Sequence, residues 1–160
     1  MPRVDIPASA SEAHITARVY ALQPAYAEPA AQLARAVRED SILPARTKEA
    51  VRYRIAQING CLLCQAYRAS DAREDGFTEE DYASIGTPAF AGRFGERERL
   101  AVEYAELFTC DHHRLDDAFF ERLKEQFSDS EIVDLTVFTG RYLAFGRLTH
   151  VLGLDDSCEL

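Results

Sequence analysis

Positive charge is nowhere concentrated in this sequence. Against 27 Asp and Glu stand only 18 Lys and Arg, a formal net charge of −9, and no basic cluster exceeds two or three residues. A surface of that sign repels nucleic acid and anionic lipid, so neither is expected as a partner. No segment approaches the ~18 uninterrupted apolar residues of a membrane span. The start, Met1-Pro2-Arg3-Val4-Asp5-Ile6-Pro7, has no apolar core of a secretory leader. These absences predict a cytoplasmic protein. Strand-like alternation of apolar and polar residues is also missing, as is any internal repeat. The glycine-bearing loop from Gly86 to Gly95 is too short to be a linker. One domain over residues 1–160 is therefore expected, and 47% hydrophobic residues suffice for a single core.

What the sequence does contain is helical spacing, and it predicts an all-α fold of seven or eight helices. After an extended arm, Ser9 or Ser11 caps a first helix through Leu22. A second runs from Pro24 or Pro29 to Arg38, with Leu33 and Val37 inward. Pro44 opens a third at its first position, with Val51, Ile55 and Ile58 as its apolar stripe and Asn59-Gly60 as its end. A cysteine-bearing helix is read from Cys61 to about Glu74, stopped by Gly76. Thr78 to Asp81 resembles a capping box before a short helix to about Ile85, and a helical turn is placed near Phe90 in the following loop. Glu96–Phe108 is a strong helix, followed by a polar connector with His112 and His113. Asp116 or Asp117 caps the next helix, and the capping box Ser128 to Glu131 starts a long last one to about Leu152.

Two of the four cysteines stand in Cys61-Leu62-Leu63-Cys64. On a continuous helix Cys61, Cys64 and Arg68 would share one stripe. With Cys61 in the first turn, the helix dipole and the Arg68 charge would both favour a thiolate. A free thiol titrates near 8.5, and lowering that to about 7 ionises about half of it at neutral pH. In a reducing compartment such a pair reads as catalytic or metal-binding rather than as a structural disulfide. Three readings stay open at this level: a reactive dithiol, two small buried apolar side chains, and a zinc site completed by Cys110, His112 and His113. Cys158 lies in the tail and takes no part in them.

The cysteine stretch and its flanks resemble the carboxymuconolactone decarboxylase superfamily, specifically its AhpD-like alkylhydroperoxidase branch. The resemblance rests on Glu49 standing twelve positions before Cys61, and on the context from Glu49 through Arg52 and Tyr53 to Gly60. It extends to the stretches Ala72 to Thr78 and Ser130 to Thr136, and covers about residues 3 to 150. Its implications are an all-helical fold that assembles into trimers or hexamers, and thiol-dependent peroxidase or disulfide-exchange chemistry. In that chemistry Cys64 attacks the peroxide, Cys61 resolves it, and Glu49 accepts or delivers protons. No cofactor or metal is implied. Electrons come from a dithiol donor protein or a small thiol. The sequence departs from the branch at two positions. Arg68 stands where the family has a relay histidine, and Leu63 where the best-studied type has a second one. Arginine supplies charge and hydrogen bonds but does not relay protons near neutral pH. His112 or His113, folded over the site, is a candidate replacement. The rival readings are a carboxymuconolactone decarboxylase-like enzyme and a non-catalytic helical oligomer with a degenerate relay.

Overall fold

A computed structural model describes residues 2–7 and 18–154, and among these every regular element is helical. In chain order the helices are α1 Ala27–Glu39, α2 Ala45–Asn59, α3 Leu62–Ala66, α4 Ser70–Glu74 and α5 Glu79–Ser84. They continue as α6 Phe90–Arg93, α7 Glu96–Cys110, α8 Asp117–Gln126 and α9 Asp129–Val151. Single 3-10 turns lie at Val19–Ala21, Pro24–Tyr26 and His112–Arg114. Most of the first predicted helix, and the tail with Cys158, lie outside the described residues.

The core is organised around α2, which packs against α7 and against α9. Pro44, just before its first residue, has an extended ψ of 142° and starts the helix one position later than the sequence suggests. Because α2 is covered on several sides, it buries Val51, Ile55 and Ala56 and also the polar Thr47, Glu49, Arg52 and Asn59. Leu135 and Phe138 of α9, and Leu100, Ala101 and Tyr104 of α7, close around it. Burying each large apolar side chain contributes about 1.5–3 kcal/mol. α1 is held more loosely. Val37 is its one buried residue, and Leu33, expected to point inward, is 39% exposed.

The capping signals hold. Thr78 and Ser128 both accept from the third backbone N–H of their helices, and Asp81 and Glu131 return the bond. Asp116 caps α8 in the same way through Phe119 N–H. Asp81 also ties two segments to that cap: it accepts from Arg46 Nη1 at 3.1 Å and from Arg93 Nε at 2.9 Å. Burial pushes its pKa up, but the Thr78 N–H and the two guanidinium groups outweigh this and hold it at about 2, against an ordinary 3.8. The folded value is the lower one. The stability it confers is therefore complete above about pH 4 and is lost as pH falls towards 2; its size is at most about 2 kcal/mol. Asp81→Asn is expected to flatten the fall in urea midpoint between pH 5 and pH 2.5. An unchanged slope would show that other carboxylates carry the acid sensitivity.

The predicted cysteine helix is corrected. It ends at Ala66, is broken at Tyr67 (ψ 139°) and Ala69 (ψ 131°), and resumes as α4. Guanidinium groups take the carbonyls that would carry it onward. Arg52 donates to Cys64 O at 2.5 Å and to Tyr67 O at 3.0 Å, and Arg68 donates to Gln65 O at 2.5 Å. The Ala69 N–H, which would return to Gln65 O in a helix, goes to Glu49 Oε1 at 3.4 Å instead.

Candidate active site

The turn after α2 places the cysteines. Gly60 adopts φ 67°, a left-handed conformation that glycine takes without steric cost. Its N–H donates to Gln57 O, and Cys61 N–H donates to Ala56 O, both at 3.1 Å, which closes α2 with a Schellman pair of bonds. The same Cys61 is the N-cap of α3, where its Sγ accepts from Cys64 N–H at 3.2 Å. One residue thus ends one helix and begins the next. A disulfide joins Cys61 and Cys64, with Cα atoms 5.3 Å apart. Cys61 is wholly buried, whereas Cys64 is half-buried and lines a cavity of about 480 Å³ between α1, α2 and α9. α3 has five residues, so its dipole is far weaker than that of the long helix the sequence suggests.

Beneath Cys64 lies a buried polar network. Glu49 is 2% exposed and pairs with Arg52, 4% exposed, through two bonds of 2.7 Å. The Tyr82 hydroxyl donates to the same carboxylate. Desolvation pulls the Arg52 pKa down, but the Glu49 pair outweighs it and the net direction is up. Burial, and then the bond to Glu49, push the Tyr82 hydroxyl up. Arg52 in turn holds the carbonyl of Cys64, so Glu49 reaches the cysteine loop through Arg52. None of Glu49's hydrogen bonds goes to a sulfur.

Arg68 is placed differently from the expected stripe, because the helix that would carry it round ends first. It pairs with Glu79 at 2.8 and 3.0 Å and lies over the Tyr82 ring, 4.0 Å from its centre. The Glu79 bond raises its pKa, against a smaller opposing effect of burial. The structure therefore brings Cys61 and Cys64 together, ties Glu49 to them indirectly, and turns Arg68 towards Tyr82 and Glu79. His112 and His113 are exposed on a 3-10 turn, their rings stacked 4.2 Å apart, and neither lines the cavity beside Cys64. Among the described residues no three His, Cys, Asp or Glu side chains converge as metal ligands, so the set drawn from Cys61, Cys64, Cys110, His112 and His113 is not gathered.

In the sequence Arg52 stands only in the family-like context after Glu49 and Tyr82 carries no site role; the structure adds both to the site. The i, i+3 spacing of Glu49 and Arg52 was a usable signal. Tyr82 carried none, since only packing brings α5 over α2. Asn59 was read as a turn residue. Its side chain instead donates to Leu143 O at 3.3 Å and accepts from Arg147 Nε at 3.1 Å, pinning the turn to α9. The close approach requires Gly146, where an added Cβ would come within 2.6 Å of Asn59 Nδ2.

Helices packed around a Cys-x-x-Cys disulfide, set in a cavity wall over a buried Glu–Arg pair, define an all-helical protein with a disulfide at its candidate site. Residues 24–107 match the profile of the carboxymuconolactone decarboxylase family, and the chain belongs to that family. It is 27% identical over 108 residues to the uncharacterized protein YdfG of Bacillus subtilis (strain 168), a match covering 67% of this chain and 74% of that one. Crystal structures share its fold, among them the following two. One is of a protein of unknown function from Agrobacterium tumefaciens, provisionally designated the antioxidant defence protein AhpD. It superposes with a TM-score of 0.74 at 23% identity over 96% of each chain. The other is the alkylhydroperoxidase AhpD core of an uncharacterized peroxidase-related protein from Ralstonia eutropha JMP134. Its TM-score is 0.76 at 17% identity, over 96% of this chain and 90% of that one. The fold is thus AhpD-like. Among the described residues no helix is long and apolar enough to cross a membrane.

Proposed function

We propose that the protein is a thiol-dependent peroxidase of AhpD-like type that cycles through the Cys61–Cys64 disulfide. The observation that carries this reading is the asymmetry of the pair: Cys64 faces the cavity and Cys61 is buried behind it. In the reduced protein the Cys64 thiolate attacks the terminal oxygen of a hydroperoxide. The O–O bond breaks, the alkoxide takes a proton and leaves as the alcohol, and Cys64 becomes a sulfenic acid. Cys61 then attacks that sulfur, the disulfide forms, and water leaves. A dithiol protein or small thiol returns two electrons, which suits the reducing cytoplasm.

Within this reading Glu49 and Arg52 are positioning residues. The guanidinium holds the Cys64 carbonyl and its charge favours the thiolate, although the bidentate partner carboxylate offsets much of that field. The role implied for Glu49 as a proton acceptor requires it to give up Arg52, which links its carboxylate to the Cys64 carbonyl. Arg68, stacked on Tyr82, supports that tyrosine. Assembly into trimers or hexamers belongs to the same proposal and is supported by the exposed Ile42, Val133 and Val137. A solution mass of a single 17.9 kDa chain would overturn that part.

The direct test is stoichiometric. One equivalent of an organic hydroperoxide added to the reduced protein should consume two thiols and yield one alcohol, and excess dithiol should sustain turnover. Thiols that persist alongside unconsumed hydroperoxide would sink the assignment. Release of carbon dioxide from a lactone substrate, surviving alkylation of both cysteines, would assign the decarboxylase reaction instead.

A further inference from the structure

The cavity beside Cys64 has a chemical asymmetry that the thiol chemistry does not use. Three arginines line it, Arg38, Arg52 and Arg141, and among the described residues no Asp or Glu does, in a chain of net charge −9. Arg52 is neutralised by Glu49. Arg38 pairs with its neighbour Glu39 at 3.3 Å, an exposed contact of the kind that holds weakly. Arg141 is different. Among the described residues it has no carboxylate partner, and its Nε is buried with no hydrogen-bond partner. Its guanidinium lies over the rings of Tyr142 and Phe145, 4.5 and 5.3 Å from their centres. Burial, and then Arg38, push its pKa down against the opposing influence of Tyr142. A buried donor left unmade is uncommon in a folded protein, and a functional ligand is one of its ordinary explanations.

The rest of the cavity is apolar. α1 presents Ala27, Ala30, Ala31 and Ala34, spaced so that all four fall on one face, and these short side chains leave the space open. Phe145 and Leu148 of α9 form part of the opposite wall, and Leu63 and Cys64 lie in the same lining. At about 480 Å³ the volume falls within the ~300–1,000 Å³ usual for small-molecule sites.

We propose that this cavity binds an amphipathic carboxylate, with the anionic head on the Arg141 guanidinium and Arg38 beside it, and the apolar body along the alanine face of α1. Resting on the peroxidase reading above, the substrate class is a hydroperoxide of an organic acid, whose peroxide group lies at Cys64. A carboxylate accepts two parallel N–H donors from one guanidinium, so Arg141 sets the orientation as well as the affinity.

Binding is measured first on the oxidised protein, where no turnover occurs. Calorimetric titration should show octanoate binding at least about tenfold tighter than octanol. Arg141→Gln should remove that preference and Arg141→Lys should keep most of it. Equal affinity of the wild-type protein for the two probes, which needs no variant to fold, overturns the anion site. A preference that survives in folded Arg141→Gln also overturns it. On the reduced enzyme, a carboxylate-bearing hydroperoxide should show a higher kcat/KM than its methyl ester. Turnover of both at equal kcat/KM refutes the substrate class and leaves the peroxidase reading intact. Selective octanoate binding with no turnover of either hydroperoxide refutes the peroxidase reading and leaves the anion site in place.

Discussion

Cys64→Ser is expected to abolish hydroperoxide turnover, a loss on the order of 10⁴-fold or more, as for other removed nucleophiles. A serine hydroxyl in place of the thiol is a far weaker nucleophile at neutral pH, and among the described residues no base is in hydrogen-bond contact to activate it. Cys61→Ser should behave differently. Cys64 remains in the cavity wall, so one equivalent of hydroperoxide is still reduced, but the sulfenic acid has no resolving partner. Stopped-flow consumption of hydroperoxide, with dimedone trapping of the sulfenic acid, separates the two. The expected pattern is a single burst and a trapped adduct at Cys64 in Cys61→Ser, and neither in Cys64→Ser. The reverse pattern would exchange the roles of the two cysteines. The burial difference stands against that: the wholly enclosed Cys61 cannot meet a substrate without opening the turn that Gly60 and Asn59 hold.

The largest effect on stability should come from Glu49→Ala. Removing the carboxylate leaves the Arg52 guanidinium buried without its counter-charge, and deprives the Tyr82 hydroxyl and the Ala69 N–H of their acceptor. Breaking a buried ion pair from one side costs about 3–5 kcal/mol. Against a total stability of roughly 5–15 kcal/mol this is severe, and it corresponds to a fall in Tm of roughly 10 °C. Deleting both charges, as in Glu49→Gln with Arg52→Gln, should recover part of the loss, because the penalty lies in the unpaired charge more than in the missing bond. Urea unfolding of the two single variants and the double measures the coupling directly. A cost below about 1 kcal/mol for Glu49→Ala would mean that water reaches Arg52, and that the pair is not the support of the cysteine loop. The same variant should impair peroxidase activity, since Arg52 holds the carbonyl of Cys64.

Much of this architecture was legible without a fold. The capping boxes at Thr78 and Ser128 and the glycine stops at Gly60 and Gly76 are local effects, because the bonds that make them join residues within a turn of one another. The inward Val51 and Ile55 of α2, the length of α9 and the all-helical class follow from the same short-range periodicity. So does the pairing of Cys61 with Cys64, which one turn of backbone brings within bridging distance. The extent of the cysteine helix was not legible. Its residues carry no helix breaker between Cys61 and Glu74, and local propensity continues it. It stops because Arg52, twelve residues back on another helix, takes its carbonyls.

The sequence by itself determined the helical class, the Cys-x-x-Cys pair and its family resemblance, since each depends on residue types at short fixed spacings. Tertiary structure alone decided which charges serve the site. It set Glu49 onto Arg52 and Tyr82, turned Arg68 to Glu79, and left Arg141 without a carboxylate partner among the described residues, in a cavity beside Cys64. The reason is physical. A charged side chain is long and flexible, and its partner is whichever opposite charge or carbonyl packing brings within about 3 Å. That depends on how α2, α5 and α9 cross, which no local pattern encodes.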